Sequence, residues 1–90
     1  MKMKLEFIKN KNGFKSYQAN GFKIYYGEKN SVAGDNEVNS AEIVYLLSGK
    51  MEVIVGDKTV KYSTPIKFEI PEKTYHKLYS LSKTIFLVFN

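Results

Sequence analysis

Nowhere in these 90 residues does an apolar period of 3.6 residues persist over two or three turns. A helical fold needs such a period, because each helix must turn an apolar stripe toward a core. What recurs instead is short alternation punctuated by turn formers. The stretch Glu42 to Leu78, EIVYLLSGKMEVIVGDKTVKYSTPIKFEIPEKTYHKL, shows it best. It reads as a strand, a hairpin and a further strand, with Glu42 at one end and His76, the single histidine, near the other.

Along the chain, residues 2 to 8 (KMKLEFI) alternate, with Met3, Leu5 and Phe7 on one face, and predict a half-buried strand that breaks at Lys9 to Gly13. Asn20-Gly21 lies between two aromatic-rich runs, and both residues tolerate positive φ, so a hairpin is expected there. In its returning arm Phe22, Ile24 and Tyr26 share one face, Lys23 and Tyr25 the other. Gly27 to Ala41 is poor in large apolar residues and reads as the longest loop, a candidate site rim, with a short strand from about Glu37 to Ala41.

Residues 42 to 48 form an apolar run too short for a buried helix, and predict a strand covered on both faces. Gly56-Asp57 closes a second hairpin, with Met51, Val53 and Val55 inward. Ile66, Phe68 and Ile70 alternate with Lys67 and Glu69 until Pro71, which has no N–H to give, ends the ladder. YHKLYSL and TIFLVF are the last strands. The prediction is one all-β domain over residues 1–90, of eight or nine short strands, without substantial helix. Turn signals at such spacing point to a small jelly-roll sandwich or barrel.

Composition narrows the function. With no cysteine there is no disulfide, thiolate nucleophile or sulfur-ligated zinc. No apolar run approaches the roughly 20 residues that span a bilayer, and MKMKLEFIKNKNG lacks a signal-peptide apolar region, so a soluble, cytoplasmic protein is expected. The net charge of +5 raises the question of nucleic acid, but every basic residue is lysine. Arginine's bidentate fork is absent and the lysines are scattered, which reads as solvated faces and guarded strand edges. Thirteen aromatic residues, seven Tyr and six Phe, supply core area to a short chain. Tyr26, Tyr45, Tyr62, Tyr75 and Tyr79 are candidates to line a cavity, with core or interface positions as the competing reading.

Two stretches resemble the cupins. EIVYLLSG, with Glu42 and then Gly49, is similar to the end of the first cupin motif, where a metal-binding glutamate opens a strand that closes on a glycine turn. IPEKTYHKL, with Pro71 and His76, looks like the second motif. Their order and spacing match a minimal single-domain cupin over about residues 30 to 89. The family's paired histidines upstream of the glutamate fall here on Asp35 and Glu37, or on Asn36 and Val38, depending on register. Pro65 and Lys73 stand where the second motif usually has glycines.

The resemblance implies a barrel-mouth site. Glu42 and His76, joined by Asp35 and Glu37 if alternate residues both point inward, would make a mostly oxygen donor set suited to manganese, iron or magnesium. The cofactor expected is therefore either none or a divalent metal, manganese, iron or zinc. Tyr26, Glu42, Phe68 and His76 are the expected ligand-binding residues. The competing readings make His76 a hydrogen-bonded structural residue, Glu42 a solvated charge paired with lysine, and Asp35 and Glu37 loop carboxylates. Three functions stay open: a non-catalytic small-molecule-binding domain, a metal-dependent isomerase, lyase or dioxygenase, and an interaction protein acting on a macromolecule. A homodimer is expected in each, because a small jelly roll leaves strand edges to cover.

Overall fold

The computed structural model describes residues 6–11, 13–37, 40–63 and 65–90. They form ten strands and no helix: β1 (Glu6–Lys11), β2 (Phe14–Gln18), β3 (Lys23–Gly27), β4 (Val32–Glu37), β5 (Glu42–Ser48), β6 (Lys50–Val55), β7 (Lys58–Ser63), β8 (Ile66–Ile70), β9 (Tyr75–Ser80) and β10 (Thr84–Phe89). Two antiparallel sheets result, β1-β2-β3-β10-β5-β8 and β4-β9-β6-β7. Among the chain's several crossings between the sheets, the one from β5 to β6 runs through Gly49 alone, and the one from β9 to β10 through residues 81–83.

Both expected hairpins are present. β2 and β3 pair around Asn20-Gly21, with Gln18 opposite Lys23. β6 and β7 pair around Gly56-Asp57, with Val55 opposite Lys58. Period-2 alternation then sorts residues between the sheets and solvent. Val44, Leu46, Met51, Val53, Phe68, Ile70, Leu78, Phe86 and Val88 are buried between the two sheets, with Phe14 closing one side. Phe86, fully buried, stacks on Tyr25 at 4.8 Å and meets Phe14 edge-on at 5.5 Å.

Three expectations need correction. The predicted break at Lys9 is strand, since β1 pairs with β2 as far as Lys11 opposite Phe14, with a bulge between Phe7 and Lys9. Met3 and Leu5 lie outside the described residues, and Phe7 is 58% exposed. The supposed loop contains β4, at Val32–Glu37 rather than Glu37 to Ala41, so ten strands replace eight or nine. β4 is an edge strand whose last four positions are exposed, so its ladder to β9 needs no apolar pattern in the sequence.

The third correction concerns β5, which is covered on one face only. Tyr45 and Leu47 stand on the outer face of the six-stranded sheet, 36% and 50% exposed. Tyr26 lies on this same face, because it pairs with Ile85 while Tyr25 pairs with the buried Phe86. Together with Phe7 these residues make an apolar outer surface.

Candidate functional site

A cavity of about 190 Å³ opens between the sheets where β3, β5 and β10 face β4 and β9. Its lining comprises Tyr25, Ala33, Gly34, Asn36, Glu42, His76, Leu78, Phe86 and Val88. Leu78, Phe86 and Val88 belong to the core and form an apolar floor. The polar groups sit at the rim, because β5 and β9 both begin there, with Glu42 and Tyr75-His76.

His76 is only 5% exposed, and its orientation is fixed from two sides. The ring Nδ1 lies 3.0 Å from the backbone oxygen of Asn36. A carbonyl only accepts, so Nδ1 carries the proton and donates it. In the neutral ring Nε2 is then a bare lone pair. Gly34 makes room for it: a Cβ there would lie 2.6 Å from Nε2 and 2.8 Å from Cδ2. Glu42 Oε1 stands 3.8 Å from Nε2 across the cavity. That is too long for a hydrogen bond, although the two form an ion pair whenever the imidazole is doubly protonated.

Tyr25 completes the rim beside its stack on Phe86. Burial, and secondly the Glu42 charge, push its phenol above the ordinary value near 10. The phenol therefore keeps its proton at neutral pH, so its O–H can donate a hydrogen bond and its oxygen can accept one.

The sequence-predicted residues divide sharply. Glu42 and His76 meet at the cavity. Asp35 and Glu37 do not join them, because a bulge between Gly34 and Asn36 resets the alternation. Asn36 is the residue that faces His76, while Glu37 pairs with Tyr75 on the outward face of β9. Asp35, at φ 64, accepts a hydrogen bond from the Tyr75 hydroxyl, which raises that phenol's pKa. Val38 lies outside the described residues.

Phe68 is buried but elsewhere, stacked on Tyr62 at 4.8 Å where β8 meets β7. Tyr26 and Tyr45 face outward, and Tyr79 donates to Asn30 Oδ1 at 2.8 Å. None of the five candidate tyrosines is among the cavity-lining residues; Tyr25 takes that place. The hairpin register held the signal that sequence reasoning missed. With Gln18 opposite Lys23, Tyr25 falls opposite Ser16, which is 1% exposed, so Tyr25 faces inward and Tyr26 outward.

Among the described residues no three of His, Cys, Asp and Glu gather to hold a metal ion. Glu42 and His76 supply two donors, whereas a resident metal centre takes three or four protein ligands. The donor set among the described residues therefore does not fit the divalent metal that the sequence resemblance implied. What the site offers is an anionic acceptor, a nitrogen acceptor and a phenol above an apolar floor.

No family model and no curated protein sequence matches the chain. Solved structures do. An RmlC-like cupin from Shewanella frigidimarina superposes with a TM-score of 0.81 at 15% identity, over 97% of this chain and 81% of that one. A predicted oxalate decarboxylase from Thermotoga maritima gives 0.78 at 16% identity, over 97% of this chain and 90% of that one. A protein of unknown function from Vibrio parahaemolyticus gives 0.76 at 15% identity, over 99% and 98%. The order of strands, the two sheets and these superpositions together give the chain the cupin fold.

Proposed function

We propose that this chain binds a small organic molecule in the cavity between its sheets and acts as a binding or sensing domain rather than an enzyme. One observation carries the reading: Glu42 and His76 converge to 3.8 Å at the mouth of a cavity whose floor is apolar. Ligand sites favour the mouths of β-barrels, where a few placed polar groups fix a ligand against apolar side chains, and here Leu78, Phe86 and Val88 lie beneath Glu42 and His76. The cavity of about 190 Å³ is smaller than the roughly 300–1,000 Å³ that hold drug-sized ligands. A single ring with one or two substituents suits it. A metal-dependent isomerase, lyase or dioxygenase is the weaker reading, since no third imidazole or carboxylate among the described residues joins the pair.

A set of one-ring compounds, titrated while the methyl resonances of Ala33, Leu78 and Val88 are followed by NMR, tests this. At least one compound is expected to shift them saturably together with the His76 ring, and to bind the His76→Ala variant at least about tenfold more weakly. Compounds that perturb only Tyr45 and Leu47 on the outer face, or none that perturbs the cavity, would end the reading.

A further inference from the structure

Resting on that reading, we propose that the ligand is a primary amine in its ammonium form, carrying an apolar body about the size of one ring. The gap between His76 and Glu42 sets the donor. Nδ1 is committed to the Asn36 carbonyl, so in the neutral ring Nε2 and Glu42 Oε1 face each other as two acceptors 3.8 Å apart with no hydrogen of their own to share. A single atom seated about 2.9 Å from both would send out its two hydrogen bonds about 80° apart. An alcohol has one hydrogen and satisfies one acceptor, leaving its oxygen lone pairs against the other. An ammonium nitrogen carries three and serves both.

Charge points the same way. Glu42 is the only acidic residue in the lining, and no lysine or arginine lines the cavity to neutralise it. While His76 is neutral the partly buried Glu42 carboxylate has no cation beside it, so a bound cation is favoured over a neutral group and an anion is repelled. The Tyr25 phenol, held protonated, adds an acceptor oxygen for the third ammonium hydrogen. The floor of Leu78, Phe86 and Val88 holds the apolar body.

Benzylamine, benzyl alcohol and benzoate share one ring and differ at the group that meets the gap, so they separate the possibilities. Titrated at neutral pH against the Leu78 and Val88 methyl resonances, benzylamine is expected to bind at least about tenfold tighter than benzyl alcohol, and benzoate not to bind. Glu42→Gln is expected to lower benzylamine affinity at least about tenfold and that of benzyl alcohol by clearly less, and an unchanged backbone spectrum around Leu78 and Val88 shows that the variant folds with its cavity intact. Equal affinities for amine and alcohol, tighter benzoate binding, or a Glu42→Gln variant indifferent to charge would overturn the amine while leaving the cavity a binding site. Silence from all three overturns it too, and the wider one-ring set then decides whether the cavity binds at all.

Discussion

Gly49→Ala is expected to cost about 3 kcal/mol or more and to lower the melting temperature by roughly 15 °C. Gly49 has φ +94, a conformation that carries a penalty of about 1–2 kcal/mol for a residue with a side chain. A Cβ there would also lie 2.0 Å from the backbone oxygen of Lys83. Backbone cannot swing aside as a side chain can, because the two crossovers are tied together. Lys50 N–H donates to Ser82 Oγ and Leu81 N–H to the Lys50 oxygen, each at 2.9 Å. The methyl therefore forces apart two of the points at which the chain changes sheets. Thermal and urea unfolding followed by circular dichroism measure the loss. A change below about 1 kcal/mol would show that the turn accepts a side chain, and the crossover argument would fall.

Phe86→Ala is expected to cost about 3–5 kcal/mol, a large share of the roughly 5–15 kcal/mol that holds a domain of this size. Phe86 is fully buried between a parallel stack with Tyr25 and an edge contact with Phe14. Truncation deletes the ring, leaves a void in the cavity floor and frees Tyr25 from its stack. Urea unfolding reads the stability. Tyr25 fluorescence and ring shifts read the loosened rim. A loss under about 1.5 kcal/mol would mean that the sheets close over the void, and that Phe86 does not fix the cavity's shape.

The fold was largely legible because alternation and turn chemistry agree along most of the chain. Asn20-Gly21 and Gly56-Asp57 each close the hairpin expected of them. Pro71 ends β8 where a missing N–H should end it. Glu42 and His76 were also legible as a pair, since Glu42 opens β5 and His76 is the second residue of β9, and both strands begin beside the cavity.

The rest of the site depended on parity, which a sequence shows only where polar and apolar residues alternate cleanly. Tyr25 and Tyr26 are adjacent and chemically alike, so only the hairpin register separates the cavity residue from the outward one. At β4 a single extra residue in the bulge puts Asn36 opposite His76 and carries Asp35 to Tyr75. Strict alternation placed Asp35 and Glu37 together at the mouth, and the bulge undoes that. Phe68 has the correct parity but the wrong place along the sandwich: β8 lies at the sheet edge over β7, away from the cavity between β3, β10 and β4.

The central claim is that Glu42 and His76 serve an organic ligand and not a resident metal. The direct measurement is the metal content of untagged protein purified without chelator, followed by titration with manganese, iron and zinc beside His76→Ala and Glu42→Gln. The two-donor geometry predicts metal well below one ion per chain, unchanged in both variants, and no saturable response of the wild-type protein to any of the three ions. Near-stoichiometric metal that both variants lose would contradict the account and make the cavity a metal centre.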